Sequence, residues 1–119
     1  MCELRDGVKC AVAYEGAFAV RYAGGDAYRG LKECRRPVEY GKGEMIYEEQ
    51  DIALLAVGSM VSTGEHVREK LKAEGWNCTL ANGRFVKPVD YELVDRLAAR
   101  NWLIVTMEEN VLQGGYGLA

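Results

Sequence analysis

Apolar and polar positions come in regular blocks along the second half of the chain, and these blocks predict alternating strands and helices. Short continuous apolar runs are typical of strands that are buried on both faces. Three such runs occur, at residues 52–57, 76–81 and 102–107. The stretches between them carry apolar side chains four residues apart, Val67 with Leu71 and Leu93 with Leu97, as amphipathic helices do. The order strand, helix, strand, helix, strand predicts a mainly parallel sheet flanked by helices.

The ends of these elements carry recognisable signals. A short apolar run at residues 44–47 is separated from the run at 52–57 by four polar residues, which predicts a hairpin with a short antiparallel edge strand. Ser62 and Glu65 have the S-x-x-E spacing of a capping box, so we expect the first helix to begin there. Gly75 is a typical helix stop, and the second helix is expected after Asp90.

The first third of the chain has a different character. Residues 17–22 form a compact apolar run that ends at a glycine pair, which predicts a strand. The stretch that follows is rich in Gly, Arg and Lys, has no periodicity, and is longer than most connections inside a domain. We therefore expect three segments: the end of one domain at residues 1–25, a linker at 26–42, and a second domain at 43–119.

The second domain is expected to be incomplete at its C-terminus. Its glycine-rich stretch, Gly114-Gly115-Tyr116-Gly117, is typical of a loop that introduces another helix, and only two residues follow it. Parallel sheets are normally covered on both faces. We therefore expect part of this sheet to be exposed or to be buried against another chain.

Composition narrows the classes of function. The 119 residues are 49% hydrophobic and 28% charged, with a net charge of −3, which is ordinary for one soluble domain and gives no reason to expect nucleic acid or a membrane as a partner. No apolar run approaches the roughly 18–20 residues of a spanning helix, and the first residues do not resemble a signal peptide. We expect a cytoplasmic protein. Four scattered cysteines and a single histidine do not predict a metal site.

Charged residues follow two of the predicted strands. The carboxyl ends of parallel strands meet at one edge of a sheet, where ligands usually bind, so Arg84 and Glu108 are expected along a common rim. Arg84, with Lys87 and a helix N-terminus close behind it, could hold a phosphate or a carboxylate. Alternatively, Arg84 pairs with a carboxylate such as Glu108 and braces two loops.

No complete set of catalytic residues can be assembled from this chain. Glu108 and Glu109 are adjacent in a loop, where neighbouring side chains rarely point the same way, so they do not predict an acid–base pair. The glycine cluster at 114–117 lacks the lysine of a phosphate-binding P-loop, and such clusters more often permit a tight turn or close packing. We predict no catalytic, cofactor-binding or metal-binding residue here.

Taken together and in order, these motifs resemble those of 1-deoxy-D-xylulose-5-phosphate synthase, a transketolase-like family of thiamine-diphosphate enzymes. The matching runs are FAVRY at 18–22, YGKGE at 40–44, LAVGSM at 55–60, NGRFVKPVD at 82–90 and TMEENVLQGGYG at 106–117. The resemblance covers nearly the whole chain. It implies the end of a pyrimidine-binding domain, the linker, and a truncated domain of the transketolase C-terminal type.

The resemblance also implies an activity for the whole enzyme. Pyruvate and D-glyceraldehyde 3-phosphate condense with loss of carbon dioxide, and the product feeds isoprenoid, thiamine and pyridoxal biosynthesis. Thiamine diphosphate and Mg²⁺ are the expected cofactors of the full-length enzyme, with none bound to this segment. The expected partners are the rest of the synthase chain and a second subunit in a homodimer. The segment is expected to support the dimer and the active site and to be inactive alone.

Two arginines, Arg21 and Arg84, are the predicted substrate-binding residues. The family usually has R-Y-P-R-G where this chain has Arg21-Tyr22-Ala23-Gly24-Gly25, so Gly24 replaces the arginine that is expected to hold the substrate's phosphate. Loss of such a contact predicts weaker binding of the phosphorylated acceptor, by about 1.5–3 kcal/mol.

Two alternatives to the synthase stay open. The β subunit of a 2-oxoacid dehydrogenase carries a related R-x-x-R-P-x-D run, although Lys87 and Asn110 favour the synthase. A free-standing, non-catalytic interaction module with a transketolase C-terminal-like fold is the other.

Overall fold

The computed structural model describes residues 2–22, 24, 30 and 36–119. Helix α1 precedes an alternating series of strands and helices. In chain order the elements are α1 (Cys2–Ala13), β1 (Glu44–Tyr47), β2 (Asp51–Ala56), α2 (Met60–Ala73), β3 (Cys78–Asn82), α3 (Tyr91–Arg100) and β4 (Asn101–Met107), followed by a short 3₁₀ helix (Tyr116–Leu118).

The four strands form one mixed sheet in the order β1-β3-β2-β4. Strands β3 and β4 both run parallel to β2, and β1 runs antiparallel to β3. The predicted α/β class, with a mainly parallel sheet and an antiparallel edge strand, is confirmed. The predicted hairpin between β1 and β2 is wrong, because both edges of β2 are taken by parallel partners. The outer edge of β3 is where β1 pairs.

Each face of the sheet carries its own apolar cluster, as alternation along a strand requires. Helix α3 and Tyr116 cover one face, and helix α2 covers the other. The buried members of the first cluster are Ala53, Leu55, Ala81, Leu93, Leu97 and Tyr116. Those of the second are Ile52, Leu54, Ala56, Cys78 and Leu80. Gly64 brings α2 close to the sheet, since a Cβ there would lie 2.8 Å from Cδ1 of Leu80.

The helix boundaries correct one prediction and confirm two. Helix α2 begins at Met60, so Ser62 lies inside it and donates its hydroxyl hydrogen to the carbonyl of Ser59 at 2.9 Å. The predicted capping box is therefore wrong. Gly75, with φ of +91°, follows α2 as predicted. Asp90 caps α3 by accepting a hydrogen bond from the amide of Leu93 at 3.2 Å.

The N-terminal segment departs most from the sequence-based prediction. Helix α1 was not predicted, and the strand predicted at residues 17–22 is wrong, because these residues have irregular structure. A single short strand needs a neighbour to pair with. Phe18 packs instead against Tyr14, Tyr40 and Phe85, with ring centroids 5.7–6.0 Å from its own. The proposed segment boundaries fall largely on residues outside the described ones and stay a prediction.

Strand β4 was predicted to be buried, and this is wrong. It lies at the edge of the sheet, where Trp102, Leu103 and Val105 are 68%, 40% and 37% exposed. The expectation that part of the sheet is exposed is consistent with this arrangement. None of the helices in the described part of the chain combines the length and apolarity that crossing a membrane requires.

Candidate functional site at the carboxyl edge of the sheet

The loops that follow β2, β3 and β4 leave the same edge of the sheet, because these three neighbouring strands are parallel. Arg84 stands two residues after β3, and Glu108 follows β4 directly. The prediction that Arg84 and the Glu108 loop share a common rim is confirmed. In open α/β sheets this edge is the usual place for ligands and partners.

Arg84 is held by four hydrogen bonds. Its Nε donates to Oε1 of Glu3 at 3.0 Å, and Nη2 donates to Oε2 of Glu44 at 2.8 Å. Nη1 and Nη2 also donate to the backbone carbonyls of Pro37 and Arg36, at 3.1 and 2.9 Å. The side chains of Arg84 and Glu44 are each 7% exposed. One guanidinium thus joins α1, the segment that precedes β1, β1 itself and the end of β3.

The backbone directs Arg84 into this position. Arg84 has φ of +53°, in the left-handed region that non-glycine residues seldom adopt. Its amide donates to Oδ1 of Asn82 at 3.0 Å, which stabilises the turn. The side-chain amide of Asn82 also donates to Oε1 of Glu3, at 2.8 Å. Asn82 therefore shapes the turn and shares the same carboxylate with Arg84.

Arg84 pairs with carboxylates, as predicted, but Glu108 is not one of them. Glu108 accepts hydrogen bonds from the amides of Tyr116 and Gly117, at 2.8 and 3.0 Å, and so caps the 3₁₀ helix. The hydrogen bond from Gly117, and to a lesser extent that from Tyr116, holds the pKa of the Glu108 carboxyl below its ordinary value. Both of these hydrogen bonds go to Glu108 and neither goes to Glu109.

Tyr116 connects the two loops across the rim. It is 6% exposed and belongs to the apolar cluster on the α3 face. A Cβ on Gly83 would lie 2.7 Å from its hydroxyl oxygen, so the ring reaches from the β4 loop to the end of β3. Burial, and secondarily the charge of Asp90, raises the pKa of the Tyr116 hydroxyl. This oxygen has no hydrogen-bond partner among the described residues.

The glycines around Tyr116 provide space rather than a ligand cradle. A Cβ at Gly115 would lie 2.3 Å from the carbonyl oxygen of Val111. One at Gly117 would lie 2.6 Å from Oγ1 of Thr106. The close-packing interpretation of this cluster agrees with these contacts.

The other predicted site residues lie apart from this network. Arg21 and Lys87 are exposed. Gly24 is also exposed, and a Cβ there would meet nothing within 4 Å. Whether Arg21 or Arg84 contacts a substrate stays a prediction.

Three residues of the network were missed by sequence reasoning: Glu3, Glu44 and Asn82. The Asn-Gly pair at 82–83 is a turn signal and could have pointed to a polar turn after β3. The carboxylates carry no such signal, since nothing local connects them with a residue 40 or 81 positions away. Within the described part of the chain, no three His, Cys, Asp or Glu side chains are grouped to hold a metal ion.

Comparison with known proteins decides the family. The sequence model of the transketolase C-terminal domain matches residues 41–119. The chain belongs to this family. The matched residues include the whole sheet, α2, α3 and the rim.

Curated relatives extend the similarity beyond this transketolase C-terminal domain. The chain is 46% identical over 106 residues to 1-deoxy-D-xylulose-5-phosphate synthase of Lachnoclostridium phytofermentans, covering 89% of this chain and 17% of the relative. It is 41% identical over 118 residues to the synthase of Heliobacterium modesticaldum, covering 98% and 18%. The chain therefore corresponds to a segment of such a synthase and spans less than a fifth of these relatives.

Solved structures agree with the fold. A chain of a split-gene transketolase, solved as an inactive tetramer of four beta subunits, is 30% identical to this chain with a TM-score of 0.67. The match covers 75% of this chain and 30% of that one. The 2-oxoglutarate:ferredoxin oxidoreductase of Magnetococcus marinus is 20% identical with a TM-score of 0.51, over 61% and 13%. This second likeness concerns the fold of the transketolase C-terminal domain alone.

Proposed function

We propose that this chain supplies the transketolase C-terminal domain and the preceding segment of a 1-deoxy-D-xylulose-5-phosphate synthase. The whole enzyme would be a thiamine-diphosphate-dependent transferase that condenses pyruvate with D-glyceraldehyde 3-phosphate and releases carbon dioxide. The 119-residue chain would have no activity alone. It would act in the cytoplasm, within a homodimer of the full-length synthase.

The observation that carries this proposal is the extent of the similarity. The domain family matches only residues 41–119, whereas the synthase of Heliobacterium modesticaldum aligns over 98% of the chain. The region before residue 41 therefore shares sequence with a synthase as well. A generic transketolase-type module would not need that region to match. This favours the synthase over a 2-oxoacid dehydrogenase subunit and over a free-standing interaction module.

The contacts at the rim support a structural role for the segment. Arg84 and Asn82 both hold Glu3 of α1. The aromatic rings of Tyr14 and Tyr40 stack with their centroids 4.3 Å apart, and the ring centroids of Tyr40 and Phe85 are 5.6 Å apart. Ionic and aromatic contacts thus join the region before the domain to the rim. In the whole enzyme they would keep the preceding domain at a set distance from this edge of the sheet.

We propose different roles in substrate binding for Arg21 and Arg84. Arg21 is exposed and could reach an anion directly. Arg84 has its guanidinium engaged in four hydrogen bonds, so a direct contact would require it to release Glu3, the more exposed of its two carboxylate partners. Its main contribution would then be to position neighbouring segments.

Thiamine diphosphate and Mg²⁺ are proposed as cofactors of the full-length enzyme. The described residues do not fit a site for the metal ion, since they contain no group of acidic, cysteine or histidine side chains arranged as ligands. We therefore assign no step of the reaction to a residue of this chain.

A chimeric enzyme tests the proposal. The part of this chain that aligns with the synthase from Lachnoclostridium phytofermentans, 46% identical over 106 residues, would replace the matching segment of that synthase. Formation of 1-deoxy-D-xylulose 5-phosphate would be measured with and without thiamine diphosphate. A chimera carrying the matching segment of the split-gene transketolase, 30% identical to this chain, is the matched control.

We expect the first chimera to retain cofactor-dependent activity and the control to lose most of it. The isolated 119-residue chain should form no product and bind no thiamine diphosphate in a calorimetric titration. A folded but inactive first chimera, or equal activity in the two chimeras, would contradict the assignment to the synthase.

A further inference from the structure

Asn82 and Gly83 form an Asn-Gly pair at the centre of the rim. The other asparagines of the sequence, at positions 77, 101 and 110, are followed by Cys, Trp and Val. An asparagine before glycine is especially reactive, because glycine has no side chain that hinders attack of its backbone nitrogen on the asparagine side chain. Asn82 also contacts both α1 and the turn after β3. A chemical change at this pair would therefore alter the contacts that hold the rim together.

The reaction that such a pair undergoes is deamidation through a cyclic imide. The backbone nitrogen of Gly83 forms a bond to Cγ of Asn82, and the bond between Cγ and Nδ2 breaks. Nδ2 leaves as ammonia, together with the proton of the Gly83 N–H. Water then opens the ring at either carbonyl carbon, adding its hydroxyl there and its hydrogen to the ring nitrogen. The product is aspartate or isoaspartate at position 82, and water is the co-reactant.

The folded structure restrains both reacting groups. The amide of Gly83 donates to the carbonyl of Ala56 at 2.8 Å, which continues the pairing of β3 with β2 and directs this N–H along the sheet. Asn82 is 4% exposed, and its Nδ2 donates to Oε1 of Glu3 at 2.8 Å. Attack therefore requires the side-chain amide to release Glu3 and the backbone nitrogen to release Ala56.

Glu3 is the restraint that opens most readily. It lies in the first turn of α1, and its side chain is 54% exposed. Exposed ion pairs contribute little stability, and contacts of this kind open locally without global unfolding. Once Glu3 leaves, the side chain of Asn82 can turn and water can reach it. The amide of Arg84 donates to Oδ1 of Asn82 at 3.0 Å, where negative charge develops during attack, so this hydrogen bond favours the reaction.

We propose that Asn82-Gly83 is a modification site that is protected while Glu3 docks α1 on the rim and that deamidates once α1 leaves. The product prevents redocking. A carboxylate at position 82 has no hydrogen to donate to Glu3, and the two negative charges would repel each other across the 2.8 Å that the hydrogen bond now spans. The guanidinium of Arg84, already shared between Glu3 and Glu44, would have a third carboxylate nearby. Deamidation thus makes a reversible opening permanent.

Peptide mapping by mass spectrometry tests the protection. The 119-residue chain would be kept in mildly alkaline buffer, either folded or unfolded in urea, and conversion of the Asn82 amide to the acid would be followed over time. We expect conversion in the folded chain to be at least about tenfold slower than in the unfolded chain. Asn110 is an internal control. It is exposed, but the β-branched Val111 follows it, so in the unfolded chain it should react far more slowly than Asn82.

Two variants of Glu3 test its role. Glu3→Ala removes the acceptor, so it should raise the rate in the folded chain by about two- to fivefold, the factor expected from the loss of one exposed ion pair. Glu3→Gln is the matched control, because its side-chain oxygen can still accept a hydrogen bond from Asn82, and its rate should stay close to that of the wild type. Circular dichroism would show that both variants are folded.

Asn82→Asp imitates one product and tests the effect on α1. Hydrogen exchange should become faster at the amides of α1, since an undocked helix of this length is marginally stable in water. The amides inside β2 and β3 should keep their protection. This measurement does not depend on the folding of the Glu3 variants.

Each measurement has a result that overturns the proposal. Equal rates in the folded and unfolded chains would mean that the fold gives Asn82 no protection. A folded Glu3→Ala variant that reacts no faster than Glu3→Gln would mean that Glu3 does not control the site. Unchanged exchange of the α1 amides in Asn82→Asp would mean that the modification does not release the helix.

Discussion

Gly83 provides the sharpest test of how the rim is packed. A Cβ added there would lie 2.7 Å from the hydroxyl oxygen of Tyr116, 3.0 Å from its Cζ and 3.3 Å from Cγ2 of Val57. Gly83 does not have a positive φ, so alanine is compatible with its backbone. Replacing Gly83 with Ala therefore introduces a steric clash between side chains but no strain in the backbone. Tyr116 is buried and cannot move freely away from the new methyl group.

The magnitude follows from two opposing contributions. Inserting a methyl group into a packed region costs about 1–3 kcal/mol. The lower entropy of the unfolded chain after Gly→Ala returns about 0.4–1 kcal/mol. We expect Gly83→Ala to lower the free energy of unfolding by about 1–2 kcal/mol.

Removing the hydroxyl should change that result. Tyr116→Phe deletes the atom nearest to the added Cβ, and this atom has no hydrogen-bond partner among the described residues. Burying an unsatisfied hydroxyl is unfavourable, so Tyr116→Phe alone should be neutral or stabilising by up to about 1 kcal/mol. In that background Gly83→Ala should cost about 1 kcal/mol less than it does with Tyr116 present.

Urea unfolding followed by tryptophan fluorescence would measure all four members of this double-mutant cycle. Gly7→Ala is the matched control, because a Cβ at Gly7, in α1, meets nothing within 4 Å, and it should not couple to Tyr116. An equal cost of Gly83→Ala in both backgrounds would refute the proposed contact. So would a Tyr116→Phe variant that is destabilised by more than about 1 kcal/mol, which would indicate a lost hydrogen bond.

Three further predictions concern charge. Arg84→Ala should lower the free energy of unfolding by about 3–5 kcal/mol, because it leaves the buried carboxylate of Glu44 without its ion-pair partner. Glu3→Ala should lower it by at most about 1 kcal/mol, because Glu3 is half exposed. Glu108 has a pKa below its ordinary value of 4.5 in the folded chain, so its contribution to stability is present above pH 4.5 and is lost as the pH falls through the folded pKa. Unfolding measured at pH 7 and pH 3 should show Glu108→Gln less stable than wild type at pH 7, with a smaller difference between the two at pH 3. In the chimeric synthase, Gly24→Arg should lower the KM for D-glyceraldehyde 3-phosphate by about tenfold or more, as expected for a charged contact of about 1.5–3 kcal/mol.

Each of these predictions has a matched control. Glu44→Gln in the Arg84→Ala background should recover part of the lost stability, since it removes the unpaired charge. Glu108→Gln should have the same effect at pH 7 in a Glu109→Gln background, since Glu109 does not accept the hydrogen bonds that hold Glu108. Gly24→Gln should not lower the KM for the phosphorylated acceptor. If Gly24→Arg and Gly24→Gln behave alike, the phosphate lies elsewhere.

Strand pairing shows where sequence reasoning was sufficient and where it failed. The apolar runs of β2, β3 and β4 are continuous, and this local property predicted three strands and their parallel arrangement. The partner of β1 depends on which strand edge is free when the sheet assembles. The prediction chose β2 because it follows β1 directly in the chain, whereas β1 pairs with β3. Burial failed for β4 for a similar reason, because an apolar sequence does not reveal that a strand stands at an edge.

The candidate site divides in the same way. The sequence placed Arg84 and Glu108 on one rim, since strand direction alone decides that. It did not identify their partners. Glu3 and Glu44 meet Arg84 from 81 and 40 residues away, and Glu108 turns back to the amides of Tyr116 and Gly117.

For this protein, the amino-acid sequence by itself determined the order of the strands and helices from β1 to β4, the parallel direction of β2, β3 and β4, and its resemblance to a synthase. These follow from periodicity and from motifs that a few neighbouring residues carry. Only the tertiary structure decided which carboxylates hold Arg84, which ring fills the space above Gly83 and which strand β1 pairs with. Those contacts join residues far apart in the chain, and their energies arise from burial and geometry that exist only after the sheet has assembled.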